Sequence, residues 1–189
     1  GQWVSLDINL DDLIANTALA SKASIGEIVI EAVEQTGKTV YLDNMYFYAA
    51  GDDGDGDGDG DGDGDGGGDT VETSPSAEAP VPVALSADVS SIFSDAYTDE
   101  AGTNFANQYS GAGVNVADVM VGDGSVKMYT GLSHAILQLG APVDASAMTH
   151  LHVDIWTPDA TSFLIKLVDT TNPYPFYTEG PMTISATTT

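Results

Sequence analysis

A run of alternating aspartate and glycine residues interrupts this chain and limits how it can fold. The run extends from Gly51 to Asp69, and residues 70–83 continue it as a spacer rich in Pro, Ser, Glu and Ala. Neither segment can bury a hydrophobic core. The folded part of the chain must therefore come from residues 1–50 and 84–189, with 33 residues between them.

Both outer parts show the period-two pattern of β-strands. Val4, Leu6, Ile8 and Leu10 form one face of the first strand, and the odd-numbered residues 3–9 form the other. Residues 11–22 fit either a short helix or a long loop. Short strands without a long helix predict an all-β fold, an antiparallel jelly-roll-type β-sandwich. The further predicted strands are residues 25–33, 39–48, 125–129, 135–139, 150–156, 163–168 and 182–186.

Turn sequences separate the later strands. Glycine, proline, asparagine and aspartate are concentrated there, because they supply the backbone angles and local hydrogen bonds that turns need. The predicted turns are Gly122-Asp123-Gly124, Gly140-Ala141-Pro142, Thr157-Pro158-Asp159 and Thr171-Asn172-Pro173.

The composition excludes several classes of partner. Only four residues are Lys or Arg, against 29 Asp or Glu, which gives a formal net charge of −25. Nucleic acids and anionic membranes need cationic patches, so neither is expected to bind. No apolar run is long enough to span a membrane. The chain has no cysteine, which excludes disulfides and thiolate zinc sites. Divalent cations at extracellular concentrations would neutralise such a chain, so we expect a secreted or cell-surface protein.

One twelve-residue window of the acidic run has the ligand spacing of an EF-hand calcium loop. Gly66 stands at the turn position of this window, and EF-hand helices are missing on both sides. The predicted Ca²⁺ ligands are Asp61, Asp63, Asp65, Gly67 through its carbonyl, Asp69 and Glu72, with Asp55, Asp57 and Asp59 as ligands for further ions. Bound calcium would stiffen the segment. The alternative is a solvated, self-repelling flexible linker.

Several stretches resemble the accessory modules of secreted marine bacterial polysaccharide-degrading enzymes, such as laminarinases and agarases. These modules are jelly-roll sandwiches of the galactose-binding-like, carbohydrate-binding type. The resemblance covers most of the chain outside the linker. It is carried by residues 1–10 (GQWVSLDINL), 39–47 (TVYLDNMYF), 89–99 (VSSIFSDAYTD), 148–158 (MTHLHVDIWTP) and 163–169 (FLIKLVD).

The order of these stretches departs from the family, in which the FSDAYT-like segment comes first. We therefore expect residues 1–50 to be the C-terminal half of one sandwich, residues 51–83 a linker, and residues 84–189 the N-terminal half of the next sandwich. Such halves would belong to a tandem array. A second possibility is a subunit that completes its neighbour by strand exchange. A third is a circular permutant with a long internal linker, which would be unusual in a small domain.

The resemblance also implies a second calcium site. A structural calcium in the resembling sandwiches is bound partly by an aspartate of the last strand, which matches Asp43 here. Asp95 and Asp99 are the expected partners, with Thr98 offering an oxygen. The alternative is that Asp43 and Asn44 form a turn or bulge without metal.

No catalytic motif is evident, so we expect a protein that is not an enzyme. His150 and His152 share a strand face with Asp154 and Trp156, which is more often a half-buried sheet face than a metal site.

Two functions are compatible with these observations. The first is a structural or adhesive extracellular fibre of repeated sandwiches, whose partners are neighbouring copies joined head to tail. The second is a carbohydrate-binding accessory module of a secreted polysaccharide hydrolase. Sugar binding requires exposed aromatic rings, and the candidates are Trp156, Tyr174, Phe176 and Tyr177.

Overall fold

A computed structural model describes residues 2–33, 35–50, 72–172 and 178–185 of the chain. These residues form one short helix, α1 (Leu10–Asn16), a single 3₁₀ turn (Ser86–Asp88) and ten strands. The strands are β1 (Val4–Asn9), β2 (Ile25–Ala32), β3 (Lys38–Tyr48), β4 (Val89–Phe93), β5 (Asn115–Val121), β6 (Gly124–Leu132), β7 (His134–Val143), β8 (His150–Trp156), β9 (Ser162–Asp169) and β10 (Thr178–Ser185).

The strands form two antiparallel sheets, as expected for a β-sandwich. The first sheet has the order β1-β8-β3-β6-β5, and β4 pairs with β3 beside β6. The second sheet has the order β10-β9-β2-β7. Strand β3 is therefore the centre of the first sheet, with β8 along one edge and both β6 and β4 along the other.

A single large core lies between the two sheets. Phe47, Leu151 and Val153 of the first sheet are completely buried, as are Ile28 and Phe163 of the second. Burying one such side chain stabilises the fold by about 1.5–3 kcal/mol. The inward residues recur at every second position, because successive side chains of a strand point to opposite faces.

Helix α1 begins directly after β1. The Asn9 side chain accepts hydrogen bonds from the backbone N–H groups of Asp11 and Asp12, at 2.9 and 3.0 Å, and so caps the helix. Leu10 and Leu13 are buried and anchor the helix to the core. Of the two predictions for this region, the short helix is confirmed. No helix in the described ranges is long and apolar enough to cross a membrane.

The structure does not show the expected division of the chain between two sandwiches. Strands β1, β2 and β3, from residues 1–50, pair with β4, β6, β7, β8 and β9 of the same chain. Strand β3 is buried on both faces, so either part alone would expose the centre of the core. Strands from residues 1–50 and from residues 84–189 of one chain therefore share both sheets, with residues 51–83 as an internal connection.

The acidic run lies within one long hairpin connection. Strands β3 and β4 pair with Tyr48 opposite Val89, and the Ala49 N–H donates to the Asp88 carbonyl at 3.0 Å. Residues 51–85, which we call the excursion, therefore connect two strand ends that pair with each other.

Most predicted strands are present, with shifted ends. The Gly122 turn is confirmed by its positive φ of 62°. The predicted turn at residues 140–142 is wrong, because β7 continues through it to Val143. Strands β4 and β5 were not predicted. Strand β5 is largely exposed and lacks the alternating apolar pattern that marks a half-buried strand.

Candidate functional site

The outer face of the first sheet, on the side away from the core, carries rows of polar residues. In one row, Ser5 of β1 lies opposite Asp154 of β8, and Asp154 lies opposite Asp43 of β3. In the next row, Asp7 lies opposite His152. This face consists of the odd-numbered residues of β1 and the even-numbered residues of β8, as the sequence predicted.

Asp154 is buried and fully hydrogen-bonded. Its carboxylate accepts from the Ser5 hydroxyl and, at 2.7 Å, from the Asn44 side-chain amide, while His152 Nε2 lies 3.4 Å away. Its exposed fraction is 0%. A buried carboxylate is tolerated only with such partners. Since Ser5 donates to the aspartate and not to the histidine, these three residues do not form a nucleophile–base pair.

His152 lies between two carboxylates. Its Nδ1 is 2.8 Å from Asp7, its Nε2 faces Asp154, and its ring stacks on Tyr46 with centroids 4.7 Å apart. Burial would lower the pKa of His152, but the hydrogen bonds and charges of Asp154 and Asp7 outweigh burial and raise the pKa to about 9. His152 is therefore an imidazolium at neutral pH. Burial would raise the pKa of Asp7, but the hydrogen bond and charge of His152 lower it.

A segment that we call the strap, residues 72–85, crosses this outer face. Four side chains of the sandwich donate hydrogen bonds to strap carbonyls. Tyr41 donates to Thr73 (3.4 Å) and Trp3 donates to Ala77 (2.8 Å). Asn44 donates to Pro80 (2.9 Å) and Tyr97 donates to Ala84 (2.7 Å). In addition, the Glu78 carboxylate accepts from the backbone N–H of Asp123 at 2.6 Å. The strap is therefore fastened along its whole length.

Trp156 is not an exposed aromatic ring. It is 1% exposed and meets Tyr41 edge-to-face, with centroids 5.4 Å apart. Val121 and Val126 complete this small cluster, with Trp3 packed against it. The predicted role of Trp156 as a sugar-stacking platform is therefore wrong. Tyr174, Phe176 and Tyr177 lie outside the described residues.

An acidic cleft opens where β4 ends and β6 begins. Asp43, Glu78, Asp95 and Asp123 contribute to its lining, and its volume is about 300 Å³. Asp43 is 7% exposed. Its burial and then the charges of Asp154, Asp95 and Asp99 raise the pKa of Asp43 to about 7, against the lowering effect of the Asn44 backbone N–H.

A local irregularity of β3 places Asp43 there. Asn44 has a positive φ of 48°, and the register with β8 shifts between Asp43 and Tyr46. The bulge predicted as the alternative to a metal site is therefore present. It turns the Asn44 amide toward both Asp154 and the strap carbonyl of Pro80.

The predicted calcium ligands near this cleft already have protein partners. Asp95 accepts from the Ser125 N–H at 2.6 Å, and Asp99 accepts from the Ser94 N–H and the Ser91 hydroxyl. Within the part of the chain that the structure describes, no three acidic or histidine side chains are arranged to hold a metal ion. Asp43, Asp95 and Asp99 therefore lie near one another without forming a coordination sphere.

The predicted calcium loop lies mostly outside the described residues. This applies to Asp55, Asp57, Asp59, Asp61, Asp63, Asp65, Gly67 and Asp69. Glu72 is described: it is exposed, at the start of the strap, and accepts from the Ser76 hydroxyl at 3.3 Å.

The sequence did not single out Glu78, Asp123 or the strap. In the sequence, Asp123 belongs to a turn and Glu78 to the spacer rich in Pro, Ser, Glu and Ala. The prolines at 75, 80 and 82 could have indicated an extended segment able to dock, because proline fixes φ and disfavours helix at the residue before it.

No protein-family model, curated protein or solved structure matches this chain.

Proposed function

We propose that this chain is a non-enzymatic extracellular β-sandwich module with a structural or adhesive role, and that it binds calcium through its acidic excursion. The observation that supports this most directly is the continuity of the acidic groups. The Asp-Gly run leads into the strap at Glu72, and the strap brings Glu78 to a cleft with Asp43, Asp95 and Asp123.

The electrostatics of this cleft favour a cation. Four of the lining residues, from four chain segments, carry carboxylates, and no Lys, Arg or His is among the lining residues. Burial raises the pKa of Asp43, and the charges of Asp154, Asp95 and Asp99 raise it further. Calcium takes six to eight oxygen ligands, which carboxylates and backbone carbonyls supply. A calcium ion at the cleft would require Asp95 to share its carboxylate with the Ser125 N–H.

Calcium titration of the intact chain by calorimetry tests this proposal. We expect binding that is strongly weakened by the triple change Asp61→Asn, Asp63→Asn and Asp65→Asn. A matched control removes three exposed carboxylates elsewhere, by Asp12→Asn, Asp88→Asn and Asp144→Asn, and should bind as the unchanged chain does. If both triple variants bind calcium equally, or the unchanged chain binds none, the proposal is refuted.

Polysaccharide binding is the second candidate. Besides the family resemblance, it is supported by Tyr109, which is 71% exposed on the loop before β5 and whose carbonyl lies 3.2 Å from His134 Nε2. A flat exposed ring can stack on a sugar face. Glycan-array binding that is lost with Tyr109→Ala, and retained with the control Val83→Ala, would favour this function.

A further inference from the structure

The sandwich recognises the backbone of the strap and uses few of its side chains. Among the described residues, the four side chains that bind strap carbonyls come from four different positions of the sandwich: Trp3, Tyr41, Asn44 and Tyr97. The bound carbonyls are spaced by four, three and four residues, at 73, 77, 80 and 84. Aromatic side chains that donate to the carbonyls of an extended segment are typical of grooves that bind proline-rich peptides.

The strap is not part of the core. Its large aliphatic side chains point away from the sandwich, since Val81, Val83 and Leu85 are 81%, 90% and 73% exposed. Of its fourteen residues, all of which the structure describes, only Pro75 is buried. The strap can therefore leave this face without removing a core side chain.

The covalent attachment of the strap allows it to move. On its N-terminal side, 23 residues, 49–71, separate it from the end of β3 at Tyr48. The strands at the base of the excursion are paired independently, through Tyr48 opposite Val89 and the Ala49–Asp88 hydrogen bond. Release of the strap therefore breaks no strand pair. Its prolines keep an extended conformation populated after release, which lowers the entropic cost of binding again.

We propose that the outer face of the first sheet is a binding groove for an extended proline-containing segment, and that the strap of a second copy of this chain can occupy it. In the structure the chain's own strap occupies this groove, which is why the strap of another copy is the expected occupant. The same strap, on another copy, presents the same carbonyls and the same Glu78 to the Asp123 N–H. Exchange in both directions gives a dimer, and exchange in one direction gives an open chain of copies. This inference rests on the proposed structural role only in naming a second copy as the partner.

Disulfide trapping tests the exchange in full-length chains. The chain has no native cysteine, and a Cβ at Gly124 would lie 3.7 Å from Cγ of Glu78. Cysteines at these two positions are therefore within reach of a disulfide. Glu78→Cys places a thiol on the strap, and Gly124→Cys places one beside the groove. The two single variants, one carrying a mass tag, are unfolded together, refolded at high concentration and oxidised.

We expect a covalent heterodimer in excess of the homodimers that each variant forms alone. High salt screens the net charge of −25, and a chelator makes the result independent of calcium. The double variant Glu78→Cys/Gly124→Cys, refolded in dilute solution, should close within one chain and so shows that the geometry is intact. A double variant that closes while the mixture forms no excess heterodimer would overturn the proposal.

Two further readouts separate strap exchange from other association. A synthetic peptide with the sequence of residues 72–85 should suppress the heterodimer, and the same peptide with alanine at all three proline positions should suppress it less. Exchange of residues 1–50 would instead leave Glu78 and Gly124 in one chain. Dimers without the disulfide would therefore count against the groove.

The unchanged chain provides a measurement free of cysteine. After refolding at high concentration in chelator, light scattering should show dimers or longer chains that the 72–85 peptide disperses. A monomer at every concentration would contradict the proposal. Calcium titration remains a separate test of the proposed function, because neither strap experiment contains calcium.

Discussion

Replacing His152 by glutamine should remove a defined part of the pH dependence of stability. His152 lies between Asp7 and Asp154, with its side chain 12% exposed, and its pKa in the folded chain is raised to about 9. The pKa of an unfolded histidine is about 6.5. The folded chain therefore keeps a proton over a pH range in which the unfolded chain releases it.

The size of the effect follows from this difference in pKa. A raised pKa stabilises the folded state fully below pH 6.5, and this stabilisation is lost as the pH rises through about 9. A difference of about 2.5 pKa units corresponds to about 3 kcal/mol in total. Between pH 7 and pH 9 the folded chain should lose about 2 kcal/mol of this stability. Asp43, with a pKa of about 7, exerts most of its effect on the free energy of unfolding below this window, and it is present in both chains.

Urea unfolding at several pH values measures this loss. The free energy of unfolding of the unchanged chain should fall by about 2 kcal/mol more between pH 7 and pH 9 than that of His152→Gln. His150→Gln is the matched control, because His150 lies two residues away on the same face, stacked on Tyr48 with centroids 5.2 Å apart. It should retain the full pH dependence. If the free energy of unfolding changes with pH in the same way for the unchanged chain and for His152→Gln, the assignment of a charged His152 between two carboxylates is refuted.

Four other changes test other parts of the structure. Asp43→Asn should reduce the loss of stability between pH 4 and pH 7, seen by thermal unfolding, because the raised pKa of Asp43 makes ionisation destabilising by up to about 4 kcal/mol. Phe47→Ala, at a completely buried position of β3, should cost about 3–5 kcal/mol in urea unfolding. Val83→Ala, at a position 90% exposed, should change stability by less than about 0.5 kcal/mol. Trp3→Phe removes the hydrogen bond to the Ala77 carbonyl and should speed proteolysis within the strap, with the cleavage sites identified by mass spectrometry.

The sequence was sufficient to predict the two faces of the first sheet. Ser5 and Asp7 alternate with core residues on β1, and His152 and Asp154 do so on β8, so each pair had to share the polar face. The sequence could not predict that Ser5 and Asp7 of β1 lie opposite Asp154 and His152 of β8. Cross-strand register depends on long-range packing, and nothing in either segment alone specifies its partner strand.

The bulge at Asn44 shows a second limit of the sequence. The pair Asp43-Asn44 was compatible with a metal ligand or with a bulge, because short polar side chains serve both purposes. The structure shows the bulge, in which the Asn44 amide donates to Asp154 and to the strap at once. Those partners come from segments more than thirty residues away in the sequence.

The long insertion is unusual for a single small domain, but its energetic cost is small. The Ala49–Asp88 hydrogen bond closes a loop of 38 residues. The entropy of loop closure grows only with the logarithm of length, so this loop costs about 2 kcal/mol more than one of five residues. Splitting the chain between two sandwiches would instead require another copy to supply β1, β2 and β3, at a cost that depends on protein concentration. For an isolated copy, a tether that keeps β1, β2 and β3 in the same chain as the other strands is therefore favoured. Exchange of straps between copies becomes favoured only when the copies are concentrated.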